Sequence, residues 1–327
     1  MSIKKNTLGL IFCMISIFYV SGQITMDTST CDIIHNNYYQ RVVESEIAFF
    51  SGQIFKAYNE LTTLDQECEL GNSILYHELY YYALMSIQLH KAETAFNSIK
   101  RLIRNYGYHL SDFETIKNYP KLKKERQWKQ FKRECCLLEE QFVSDTTVFL
   151  FFMSMGQRDQ ELRLQYLDSC RYYQRDTIKI SSIKMKYNAL IDSLDETNGD
   201  SLLSFFAENK GRIIRLSNNH RQSIYFSLLS VVIHCANQPE IYDSLLSILW
   251  EAIQQRRLPP ELYAALVDRK QLNMAQKYIY GFYDNLSPEQ IVDFKNLDER
   301  RRTIGLPSYS EEKNLKIKQQ EYYQTLK

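Results

Sequence analysis

From Ser223 to Asn237 the chain reads SIYFSLLSVVIHCAN, and Ile224, Phe226, Leu228, Leu229, Val231, Val232 and Ile233 leave no polar face as wide as a surface helix carries. The pattern predicts a helix packed on most of its sides, too short to span a bilayer. It stops at Asn237-Gln238-Pro239, with His234 and Cys235 at its end. Other segments repeat apolar positions at helical spacing. Asp32 to about Ser51 is one helix, with Ile33, Ile34, Val42, Val43, Ile47 and Phe50 on its apolar positions; Gly52 breaks it, and Ile54 to about Cys68 returns antiparallel. A later helix carries Trp128, Phe131, Cys135, Leu138 and Phe142 on one side and ends before Ser144-Asp145-Thr146-Thr147. Further helices are expected over Val148–Tyr173, Ile178–Leu194, Asp200–Glu208, Ile241–Gln255, Glu261–Val267 behind Pro259-Pro260, and Leu297–Ile304 before Gly305. The charged tail, residues 309–327, is expected to be a loosely docked helix.

The first two helices recur. Ala57 to Leu64 lines up with Ala95 to Leu102 at an offset of 38 residues, and upstream Gly52 matches His90, Ala48 matches Ser86 and Ser45 matches Ala83. This resembles the tetratricopeptide repeat, which has small residues on a first helix, a turn, and an alanine on the second helix followed by a large apolar residue. The resemblance covers Asp32 to Gly107 as two units, longer than the usual repeat of about 34 residues. A third, degenerate unit follows through Phe113, Ile116, Leu122, Trp128 and Phe131. The fold class expected is therefore all-α, with tetratricopeptide-like hairpins over residues 32–140 and a second helical domain, 148–308, around a buried central helix. Antiparallel pairing puts Cys31 and Cys68 at the same end of the first hairpin, so they are either bridged or two unrelated thiols.

Composition adds a compartment. Lys4 and Lys5 precede an apolar run from Leu8 to Val20, and Ser21-Gly22 stands before Gln23, the layout of a signal peptide over residues 1–22 and an exported protein. Two of the 40 basic residues lie in that leader, which leaves 38 against 39 acidic and a formal charge of −1. A chain so balanced has no global field for nucleic acid or anionic membrane, and no membrane span is expected after cleavage. The local exception is Lys117 to Arg133, with eight basic residues, read as a solvated helix face. Six cysteines remain after cleavage, none at the paired spacing of a zinc site; no metal or other cofactor is expected.

In the second half, Asp159-Gln160-Glu161-Leu162-Arg163, Ile191 to Asn198, His234-Cys235-Ala236, Leu266-Val267-Asp268-Arg269, Tyr278-Ile279-Tyr280-Gly281 and Asp298-Glu299-Arg300-Arg301 occur in an order that resembles an uncharacterised bacterial helical domain. The resemblance spans about residues 148–308 and implies no established activity. The chain departs from it at Asn209-Lys210-Gly211-Arg212 and at Phe282-Tyr283. The polar residues worth grouping are Asp159, Gln160, Arg163, His234, Asp268, Arg269 and Tyr280. A carboxylate beside His234 would orient its imidazole and leave the other nitrogen for acid–base work, while an arginine holds an anionic group; that would be a hydrolase-like or transferase-like site. The same residues equally make a set of buried ion pairs and helix-joining hydrogen bonds. Paired helices stacked side by side form a groove that binds a protein or peptide, with Tyr76, Tyr80, Tyr81 and Tyr82 as contact surface. The function expected is that of an exported binding module.

Overall fold

The computed structural model describes residues 31, 37–71, 74, 77–209, 215–283 and 286–325. The signal peptide over 1–22, the start of the first helix at Asp32, Tyr76 and Lys210-Gly211-Arg212 lie outside them. Among the described residues there are thirteen α-helices, in chain order α1 (Tyr38–Phe50), α2 (Ile54–Glu67), α3 (His77–Gln88), α4 (Ala92–Tyr106), α5 (Tyr119–Leu122), α6 (Trp128–Gln141), α7 (Thr146–Tyr172), α8 (Thr177–Glu208), α9 (Asn218–His234), α10 (Pro239–Gln254), α11 (Glu261–Ala275), α12 (Leu297–Thr303) and α13 (Tyr309–Thr325). The chain is all-α: among the described residues there is no strand, only an isolated bridge between Tyr278 and Ile291.

The first two hairpins share one turn. Gly52 and His90 both have positive φ, at 78° and 58°. The Gln53 amide reaches the Ala48 carbonyl (2.8 Å) as the Lys91 amide reaches that of Ser86 (2.9 Å), and the Gly52 amide reaches Phe49 as His90 reaches Ile87. This pair of bonds satisfies carbonyls that a helix end otherwise leaves open, and the left-handed residue makes it possible. Ser45, Ala57, Ala83, Ser86 and Ala95 are all buried where the helices cross. Cys31 and Cys68 are joined as a disulfide with Cα atoms 5.0 Å apart, closing the mouth of the first hairpin. A third hairpin of this form, expected through Phe113 to Phe131, does not follow, since its first helix is absent among the described residues. A short 3₁₀ turn at Leu110–Phe113 and the single turn α5 stand in its place, and α6 lies against α4 with Phe96 and Phe131 stacked at 4.1 Å.

Of the tyrosines expected as contact surface, Tyr82 is buried and Tyr80 and Tyr81 are half-buried. Tyr80 stacks on Tyr108 at 5.7 Å, Tyr82 on Tyr58 at 5.5 Å, and Tyr81 lies against Phe49 and Phe50. The tail is docked firmly: α13 lays Tyr322 against Phe49 and Phe50, Leu315 joins the same core, and the Ser308 amide donates to Gln40 Oε1 (2.8 Å). α13 thus covers part of the outer face of α1.

In the second half α7, α8 and α11 pack around α9, α10 meets the 3₁₀ turn at Cys235–Asn237 that follows it, and Ile224, Leu228, Val231 and Val232 are buried. The central helix is less enclosed than its sequence predicts, since Phe226 remains 54% exposed on a strip with Gln222 and Ser223. The helices expected over 178–194 and 200–208 are one rod, α8. Gly199 does not interrupt it; a Cβ there would lie 2.5 Å from Cγ2 of Ile241, so the glycine lets α10 press against α8. Two arginines tie the halves together. Arg221 at the start of α9 donates to Asn105 O (3.0 Å) and sits over the Tyr106 ring, and Arg256 donates to Cys68 O (2.8 Å).

Candidate functional site

Asp159 and Arg163 lie one turn apart on α7 and leave the helix in the same direction. α9 ends beside them at His234, and α8 passes with Asp195. Asp159 is fully buried. Its Oδ1 accepts from Arg163 Nε (3.1 Å), its Oδ2 from Gln160 Nε2 (2.8 Å), and His234 Nδ1 lies 2.8 Å from Oδ2. The other arm of the Arg163 guanidinium, Nη2, donates to Asp195 Oδ1. Three helices are thereby clasped by one set of charges.

Burial works to raise the Asp159 carboxyl, but the His234 hydrogen bond and charge, with Arg163, outweigh it and hold the group below the usual carboxylate range. Asp195 goes the other way, since burial outweighs its bond to Arg163. The Cys235 thiol is pushed up to about 12 by burial and by the nearby Asp195 and Asp159 carboxyls, so it is neither thiolate nor nucleophile at neutral pH.

Asp159, Asp195 and His234 each offer a donor atom within 4.8 Å of the others, a set of the kind that holds a divalent cation. Arg163 is bonded to both carboxylates and supplies the positive charge there instead. The Asp–His pair is the one expected for orienting an imidazole. The arginine expected to hold a substrate anion is spent on the two carboxylates.

Asp268 does not join this group. It is fully buried on α11 and accepts three backbone amides, from Ile279 (2.6 Å) and Tyr280 (2.7 Å) on Oδ1 and from Phe282 (2.7 Å) on Oδ2. Arg301 donates to Tyr280 O (2.7 Å) and Pro307 O (2.7 Å), and Arg300 to Ile279 O (3.2 Å). Tyr280 therefore contributes its backbone at this second knot, while Arg269 is charge-coupled to Tyr283. Burial raises the Asp268 carboxyl even though three amides and Arg301 act against it. The six sequence motifs thus sort into two polar knots, one joining α7, α8 and α9 and one pinning residues 278–283 between α11 and α12. Phe282 packs with Ala264, Ile304 and Leu306.

A third polar group has no counterpart in the sequence reading. Glu46 on α1, Glu78 on α3 and Glu261 on α11 act on one another at the joint between the two halves. Burial raises Glu46 to about 8, with the Glu78 and Glu261 charges adding to it, and raises Glu261 to about 7. Glu78 accepts from the Tyr38 hydroxyl (2.9 Å), whereas Glu261 Oε2 is buried without a hydrogen-bond partner. The available signal was positional: Glu46 falls on the same helical face as Val42, Phe49 and Phe50.

His234 borders neither of two surface depressions found among the described residues. The larger, about 580 Å³ and open, runs along α6 beside Trp128, Lys129, Lys132, Arg133, Cys136 and Leu137. The smaller is at Gly281 and Tyr309. No helix among the described residues is long and apolar enough to cross a membrane. No family model, curated protein or solved structure matches the chain.

Proposed function

We propose that the chain is an exported protein- or peptide-binding module whose contact surface lies on the stacked hairpins of residues 38–141. One observation carries this reading: the stack ends at α6, a helix packed on one face against α4 and open on the other beside the larger cleft. The residues that would do chemistry are engaged elsewhere, with Asp159 sealed and Arg163 shared between two carboxylates. The test is cross-linking of the full chain in an extract of its own compartment, with cross-linked sites mapped by mass spectrometry. Partner cross-links on residues 38–141 support the reading; cross-links gathered around His234 instead, or none at all, overturn it. Export is tested on the same material, where the mature N-terminus is expected at Gln23.

The alternative is a hydrolase-like or transferase-like site at His234. The 2.8 Å contact of His234 Nδ1 with Asp159 favours it, because that contact fixes the imidazole without engaging its other nitrogen. An activity abolished by His234→Gln in a protein that melts normally would establish it.

A further inference from the structure

The open face of α6 has a chemistry of its own. Lys117 to Arg133 holds eight basic residues and a single acid, Glu125, in a chain otherwise balanced in charge. Of the three acids on α6, Glu134 pairs with Lys100 (2.9 Å) and Glu139 accepts the Leu110 amide (2.7 Å), both on the side of α4 and its loop, while Glu140 is exposed at the C-terminal end of the outer face, one turn beyond Cys136 and two beyond Arg133. Lys129, Lys132 and Arg133 are exposed and form none of the ion pairs seen among the described residues. Beside them lie the exposed Cys136 and Leu137, the latter 55% exposed.

Within the stack this is the face on which a next helix would pack. Among the described residues no helix packs there: after Gln141 the chain turns back through Phe142, which lies against Gly107, and enters α7. We infer that the outer face of α6 takes an acidic amphipathic helix from a partner protein, its apolar ridge along Leu137 and Cys136 and its carboxylates against Lys129, Lys132 and Arg133. This rests on the binding-module reading and gives the partner its chemistry. The face is suited to a helix more than to nucleic acid, since its one aromatic ring, Trp128, is held by Phe96, Tyr119 and Phe131 and offers no platform for a base. A second copy of the chain would bring like charges together.

The test uses the full chain and a fluorescein-labelled peptide of about 20 residues with leucine at i, i+3, i+4 and i+7 and glutamate on the flanks. Controls are a scramble of the same composition, a single-stranded oligonucleotide and vesicles containing an anionic phospholipid. Fluorescence anisotropy is expected to show peptide binding that weakens with added salt. It should be weaker by at least about tenfold, or about 1.4 kcal/mol, for the scramble, for Leu137→Asp and for the combined Lys129→Gln, Lys132→Gln and Arg133→Gln variant. The substituted residues are exposed, so melting should be unchanged; if the triple variant unfolds, Lys132→Gln alone carries the comparison. Equal binding by scramble or variants, no binding by the peptide, or tighter binding of oligonucleotide or vesicle at the same salt overturns the inference. Should the peptide fail while partner cross-links still fall on the hairpins, this assignment falls and the binding-module reading stands.

Discussion

Glu46 shows what a single buried carboxyl does to stability. Its folded-state value of about 8 lies above the ordinary 4.5, so the folded chain holds a proton that the unfolded chain gives up. The contribution is fully present below about pH 4.5 and is lost as pH rises through about 8. At about 1.4 kcal/mol per pKa unit, the loss amounts to a few kcal/mol across that window. Glu46→Gln is expected to flatten the fall and leave the protein more stable than wild type above pH 8, read by urea unfolding at several pH values. A parallel curve for the variant would mean that Glu46 is ionised in the fold. His90 is a second single-residue case. With φ at 58° it occupies the turn position that Gly52 fills in the first hairpin. His90→Gly should raise the unfolding free energy by about 1 kcal/mol, and an unchanged or lower value would show that the left-handed backbone is not strained there.

At the scale of elements, α8 and α10 depend on the missing side chain of Gly199. Alanine favours a helix by about 1 kcal/mol over glycine, yet here its Cβ meets the stiff, branched side chain of Ile241. Gly199→Ala should therefore cost about 1 to 3 kcal/mol, and Ile241→Ala in the same protein should recover part of it, as a double-mutant cycle in chemical denaturation reads out. Additive losses would mean the two helices do not meet at that glycine. The first hairpin was legible in the sequence because its information is local: the spacing of Ala57 and Ala95, the turn at Gly52, and cysteines at one end. α6 was legible through Trp128, Phe131 and Cys135 on one face. The continuity of α8 was not, since Gly199 reads as a breaker until Ile241, more than a helix away in sequence, is seen against it. Nor was the division of Asp159 and Asp268 between two knots. Chain order says that polar motifs exist, but the packing of helices decides which of them meet. Asp195, inside the Ile191–Asn198 motif, joins the first knot only through that packing, and the apolar character of Phe226 says nothing about whether a neighbouring helix arrives.

Over the whole molecule, the halves are joined by backbone carbonyls held on Arg221 and Arg256 and by α13 across α1. The disulfide shortens the unfolded chain's freedom over a separation of 37 residues. In the chain-entropy account that adds about 3 to 4 kcal/mol, so Cys31→Ser with Cys68→Ser should lower the melting temperature by several degrees, and no change would show the bridge to be unimportant. The central claim concerns the clasp at Asp159, which holds α7 to α9 through His234 and to α8 through Arg163 and Asp195. Active sites store unfavourable electrostatics, so neutralising a residue of one commonly raises stability, whereas breaking a buried structural ion pair lowers it by about 3 to 5 kcal/mol. The equilibrium urea unfolding of Asp159→Asn tests this most directly. A loss of that size is the expected result, and a variant as stable as the wild type, or more so, would contradict the structural reading and return His234 to catalysis.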